Sequence, residues 1–209
     1  MEQRKRVITA VIGIPIFLLL VYLGGWWLGV LTLLLGIVGF AEYYQLVQRM
    51  HPASAPVWLL LGFGYIALGL LSFFGTRVLG GTLWLLLIVW ATDIAAYEVG
   101  RRIGRTKLAP TISPNKTVEG FIAGLLGGLL IGLIYGLCFM KAGFVASLLI
   151  PLFISLLGQL GDLLESKVKR LAGVKDSGRI FPGHGGVLDR FDSLLLTSPF
   201  MYLLLLIIR

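Results

Sequence analysis

Apolar residues run along this chain in long blocks, not in the short alternations of a half-buried strand. The blocks cover about 7–23, 26–47, 57–75, 82–100, 117–139, 144–165 and 190–208. Several reach the roughly 18 residues at which an apolar stretch reads as a bilayer-spanning helix. Short links holding Gly24-Gly25, Pro52, Gly80-Gly81 and Lys141-Ala142-Gly143 separate most of them. Two longer polar stretches, 101–116 and 166–189, interrupt the pattern. The expectation is an all-α, polytopic integral membrane protein of about seven transmembrane helices.

Composition narrows the picture. Of the 209 residues, 57% are hydrophobic and 13% charged, and mean hydropathy is +0.93. A soluble domain carries about a quarter charged residues, so a buried soluble core does not account for these runs. The single cysteine, Cys138, lies in an apolar run and excludes an intramolecular disulfide and a cysteine-based metal site. Arg4, Lys5 and Arg6 precede the first block. That block is long and no small-residue cleavage pattern follows it closely, so a retained helix is expected rather than a signal peptide.

Charge sets the orientation. With the N-terminus inside, 15 of the 18 basic residues are cytoplasmic, and only Arg77, Lys141 and Arg209 fall outside. The positive-inside bias therefore predicts N-in, C-out. The net charge of +8 is one-sided, which also suits attraction to anionic lipid.

The fifth block carries Gly120, Gly124, Gly128, Gly132 and Gly136 at four-residue spacing. On a helix they form one smooth ridge that admits a close neighbour, either within the chain or in a homodimer.

The acids are more informative than the bases. Glu2, Glu42 and Asp176 read as surface positions or carry no assignment, and are set aside. Asp93, Glu98, Glu119, Asp162, Glu165, Asp189 and Asp192 all fall in the cytoplasmic parts of spans or at their mouths. Carboxylates in apolar helices are costly and turn toward a partner, an ion or the bundle interior. Seven from four spans at one membrane level predict a shared polar site. Asp162 and Glu165 share a helix face, as do Asp189 and Asp192. Helix capping is the plain alternative for Asp189. Oxygen ligands from two or three helices suit Mg²⁺ bridging to substrate phosphates. The run "SKVKRLAGVKDSGR" at 166–179 supplies lysine and arginine for a polyphosphate. The "GHGG" that follows lets backbone N–H groups approach an anion. Together these features point to phosphoryl or nucleotidyl transfer at the membrane face.

The stretch "SKVKRLAGVKDSGRIFPGHGGVLDRFD", Ser166 to Asp192, resembles the signature of the phosphatidate cytidylyltransferases, or CDP-diacylglycerol synthases. Its matching parts are Ser166, Lys169-Arg170, Lys175-Asp176, His184-Gly185-Gly186 and Asp189-Arg190-Phe191-Asp192. A second stretch with Asp93, Ala96-Tyr97, Gly100-Arg101, Gly104, Ser113-Pro114-Asn115-Lys116-Thr117 and Glu119-Gly120 is similar too. The likeness is specific over the C-terminal 120 residues or so, and Glu98 departs from it, standing where an apolar or aromatic residue is expected. The resemblance implies a reduced N-terminal transmembrane region over 1–80 and a catalytic region over 81–209.

It also implies synthesis of CDP-diacylglycerol and pyrophosphate from CTP and phosphatidic acid in the bilayer, with no nucleic acid involved, at a bacterial inner membrane with the site facing the cytoplasm. Asp162 and Asp189 would hold a two-cation centre, with Asp192 adjoining, Mg²⁺ as one ion and K⁺ the candidate for the other. Lys169, Arg170, Lys175 and Arg190 would join these aspartates as catalytic residues. Ser113, Asn115, Lys116, Ser166, His184, Gly185, Gly186 and Asp93 would bind substrate. Two rivals are a CTP-dependent polyprenol kinase of the same superfamily and a cation transporter. The kinase motifs differ from His-Gly-Gly…Asp-Arg-x-Asp, and a transporter needs polar groups through to the far side.

Overall fold

A computed structural model describes residues 2–178, 180 and 185–208, with side chains from Thr9 onward except Ala10. The helices are α1 (Glu2–Leu23), α2 (Gly25–Met50), α3 (Ala55–Val78), α4 (Thr82–Ile103), α5 (Val118–Tyr135), α6 (Phe144–Leu171) and α7 (Leu188–Ile207). A wider helical turn, Gly136–Met140, ends α5. Between α4 and α5, strands β1 (Lys107–Ala109) and β2 (Ser113–Thr117) form a small antiparallel hairpin. Helices α2 to α7 are each long and apolar enough to cross a membrane, and α1 adds the shorter apolar stretch Val11–Leu23. This is an integral membrane protein.

Most helices begin and end within about three residues of their apolar block; α1 starts five residues earlier, at Glu2, and α6 runs six residues past its block. Helix α6 continues to Leu171, so Lys167, Lys169 and Arg170 ride on its last turns and not on a loop. Hydropathy marks where the chain leaves the lipid. Lys, Arg and Glu are good helix formers, so the helix itself runs on.

The glycine ridge of α5 packs inside the chain. A Cβ on Gly128 would stand 2.1 Å from the Ser155 hydroxyl on α6 and 2.2 Å from that of Thr92 on α4. One on Gly132 would stand 2.4 Å from Pro151, and one on Gly120 2.7 Å from the Ala96 carbonyl. Trp84 donates its indole N–H to the Gly132 carbonyl at 2.8 Å. Helix α5 therefore lies against the backbones of both α4 and α6, the close approach that small residues allow in lipid. Trp84, Leu85, Ile88, Ile154 and Met201 form the centre of the core that results.

At the far end, Arg77 donates to the carbonyls of Val21 and Tyr22 at 2.8 and 2.9 Å. One of the three basic residues expected outside is thus used to close the end of α1.

Candidate active site

The two polar connections meet at one end of the bundle. Arg170 donates Nε to the Ile112 carbonyl at 3.1 Å, in the turn of the hairpin. Its Nη1 donates to the Val174 carbonyl at 2.8 Å. Lys116, on β2, reaches Asp162 on α6 at 2.7 Å. The hairpin therefore places a lysine over a carboxylate that is otherwise carried in an apolar helix.

Around this point the acids gather. Asp162 on α6 and Asp192 on α7 each feel the charge of Asp93 on α4 and of Glu165 on α6, Glu165 feels that of Asp189 on α7, and Lys116 and Arg190 lie within electrostatic reach of Asp93. Lys169 sits between two of them. Its ammonium pairs with Glu165 one helical turn earlier and with Asp189 at 2.6 Å. The second oxygen of Glu165 is buried and accepts no hydrogen bond among the described residues. Asp162 accepts from Ser166 at 3.3 Å, and Asp192 from the Ser193 N–H at 2.6 Å.

Asp189 is the most heavily bonded. Besides Lys169, it accepts from the Ser177 N–H at 2.9 Å, the Ser177 hydroxyl at 3.0 Å and the Gly186 N–H at 2.7 Å. Gly185 stands at φ +85°, and a Cβ there would lie 2.5 Å from an Asp189 oxygen. The glycines after His184 do let backbone approach an anion, but that anion is the chain's own aspartate. His184 lies outside the described residues.

Not every residue singled out from the sequence reaches this cluster. Glu98 faces away and pairs with Arg101 at 3.3 Å and Arg102 at 2.9 Å. Glu119 accepts from the N–H groups of Arg105 and Thr106 at 3.1 Å, which fixes the start of the hairpin. The shared polar site thus has five of the seven expected acids. Arg170 is occupied by carbonyls. Lys175 lines a cleft of about 640 Å³ with Gln45, Arg49, Asp176 and Ser177, and Ser177 joins that cleft to the cluster through Asp189. Ser113 and Asn115 lie on β2 beside Lys116.

One acid that the sequence does not assign to the site is bound into the connection before α7. Glu42, on α2, is 3% exposed. It accepts from the N–H groups of Val187 and Leu188 at 3.0 Å each and from the Ser177 hydroxyl at 3.1 Å. A lone acid inside an apolar block was the available signal, and the cost of burying it in lipid argued against a surface position.

Five carboxylates face three cations, Lys116, Lys169 and Arg190, which leaves a formal surplus of two negative charges. Among the described residues no three acids close into a cage of their own. Such a set suits a hard divalent cation that keeps waters or takes substrate oxygens, as Mg²⁺ does with one or two carboxylates.

A family model described as the cytidylyltransferase family matches residues 4–80 and 59–208. The chain is 35% identical to a phosphatidate cytidylyltransferase of Staphylococcus haemolyticus over 258 aligned positions, covering 98% of this chain and 99% of that protein. That alignment is longer than the chain, so part of the relative has no counterpart here. A protein of the same name from Staphylococcus epidermidis is 40% identical over 168 positions, 79% of this chain and 65% of that one. Another, from Bacillus subtilis, is 52% identical over 120 positions, 57% of this chain and 45% of its own length.

Proposed function

The chain belongs to the cytidylyltransferase family, and from that premise we propose that it moves a cytidylyl group from CTP to phosphatidate, forming CDP-diacylglycerol and pyrophosphate. The observation that carries the reading is the meeting of Asp93, Asp162, Glu165, Asp189 and Asp192, from three apolar helices, with Lys116 and Lys169 where the polar connections join. One substrate is a lipid and the other a charged nucleotide. Their reacting phosphates must meet at headgroup level, and the cluster's place where apolar helices give way to polar connections supports a site there.

The nucleophile belongs to the substrate. A phosphate oxygen of phosphatidate attacks the α-phosphorus of CTP, the bond to the bridging oxygen of the β-phosphate breaks, and pyrophosphate leaves with the electron pair. A phosphomonoester has a second pKa of about 6, so at neutral pH the attacking group is largely dianionic and needs no general base. The protein then has to align two polyanions and offset their charge. Lys116 and Arg190 supply positive charge beside Asp93 and Asp162. Lys169 holds Glu165 and Asp189 in place from the seam of α6 and α7. The resemblance puts the cations on Asp162 and Asp189 with Asp192 adjoining; because Asp189 already accepts from four donors, Asp162 and Asp192 are the carboxylates that would hold Mg²⁺ here. Held by these carboxylates, the ion would supply charge neutralisation at the phosphates of the transferring cytidylyl group. K⁺ is the candidate for a second cation.

The orientation is N-in, C-out, with the cluster facing the cytoplasm of a bacterial inner membrane. The count of 15 basic residues on one side supports it. Purified protein given CTP, Mg²⁺ and phosphatidic acid should release pyrophosphate and CDP-diacylglycerol in equal amounts. CDP with a phosphorylated lipid would point instead to a lipid kinase.

A further inference from the structure

Glu42 belongs to α2, outside the three helices that carry the acid cluster, yet it is bonded into the connection that leads to α7. It lies on the buried face of its helix with Gly39 and Leu46. Among the described residues it has no cationic partner. Its charge is met by two backbone N–H groups and a hydroxyl.

The two N–H groups are those of Val187 and Leu188, the cap and first residue of α7. A helix start leaves such donors without intrahelical partners, and the Val187 side chain supplies no acceptor. Glu42 therefore caps α7 from another helix, with its negative charge at the positive end of the helix dipole. Room for the carboxylate comes from two glycines. A Cβ would stand 2.2 Å from a Glu42 oxygen at Gly178 and 2.4 Å from both oxygens at Gly186. The Ser177 hydroxyl carries one proton and lies 3.1 Å from Glu42 and 3.0 Å from Asp189. It links the cap to the carboxylate that Lys169 holds.

Resting on the cytidylyltransferase reading of this site, we propose that Glu42 is a positioning residue for the transfer. From α2 it sets the start of α7, and through Ser177 the carboxylate of Asp189, so that Arg190 and Asp192 are presented to the phosphates.

Glu42→Gln keeps the shape but replaces one acceptor oxygen with a donor facing backbone N–H or the hydroxyl. The variant should accumulate in the membrane with kcat at least tenfold lower, while KM for CTP and for phosphatidate changes less than threefold. Amide hydrogen exchange over 185–189 should be at least tenfold faster. Ser177→Ala should give a smaller loss of kcat, and the double variant should be no worse than Glu42→Gln alone. Unchanged kcat, whatever happens to thermal stability, overturns the proposal. A slower kcat with unchanged exchange overturns it too, as does additivity in the double variant for the route through Ser177. Should Glu42→Gln fail to accumulate, Ser177→Ala decides by the same pair of measurements. Product analysis of the unaltered enzyme separates this test from the activity itself: if it makes no CDP-diacylglycerol, the transfer reading fails, while exchange over 185–189 still decides whether Glu42 sets the start of α7.

Discussion

The ammonium of Lys169 on α6 stands 2.6 Å from a carboxylate oxygen of Asp189 on α7, and the same nitrogen pairs with Glu165. One buried cation thus holds two acids across a helix seam. Removing it leaves both carboxylates uncompensated, and breaking a buried pair on one side costs about 3–5 kcal/mol. Lys169→Met should lower the thermal midpoint in detergent by several degrees and abolish turnover. A normal midpoint would mean that the pair does not hold the seam.

Asp162 and Asp189 should fail in different ways. Asp162 has one cation and one hydroxyl as partners, whereas Asp189 organises the connection before α7. Asp162→Asn should raise the Mg²⁺ concentration needed for half-maximal rate by at least tenfold, with thermal stability unchanged. Asp189→Asn should lower both stability and turnover. Titration of rate against Mg²⁺, beside melting curves, distinguishes them, and identical behaviour would remove the separation of roles.

Arg190 follows Asp189 on the first turn of α7, where its planar fork can serve phosphate oxygens. Arg190→Lys keeps charge and loses the fork. The expected fall in kcat is at least tenfold, equivalent to about 1.4 kcal/mol, with membrane association unchanged. Arg179→Lys, whose position lies outside the described residues, should be nearly silent. Small and equal effects at both would make Arg190 an anchor to anionic lipid.

Glycine positions on the lipid-crossing helices should divide sharply. Gly128→Ala puts a methyl against Ser155 and Thr92, and overpacking of this kind costs about 1–3 kcal/mol. Gly64 has nothing within 4 Å of a built Cβ, so Gly64→Ala should leave the midpoint unchanged. Melting of the two variants in the same detergent compares them directly.

Orientation is checked with cysteines at exposed positions of the two polar connections. In a Cys138→Ser background, Thr106→Cys and Lys175→Cys should react with an impermeant thiol reagent from the cytoplasmic side only. Labelling in intact cells would reverse the assignment.

The spans were legible because lipid imposes length and apolarity on every helix that crosses it. The acid cluster was legible in Asp162, Glu165, Asp189 and Asp192, whose three-residue spacings place them on shared faces. Glu98 could have been separated from Asp93 on the same ground, since five residues turn a helix by about 140° away from its starting face. The hairpin was hidden because its strands are three and five residues long, and the longer, Ser113–Thr117, has no apolar alternation to mark it. For Glu42 the apolar block around it marks a buried acid, but its partners were hidden: they are backbone N–H groups and a serine 135 residues away, and pairing at that distance leaves no local pattern.

The crowding of Glu42 by Gly178 and Gly186 reaches beyond this one chain. A larger residue at either glycine has no space while a glutamate occupies position 42, and a smaller residue at 42 leaves a hole that a methyl at 186 could fill. Positions 42, 178 and 186 should therefore vary together among relatives, so that the N-terminal helices and the signature loop evolve as one unit.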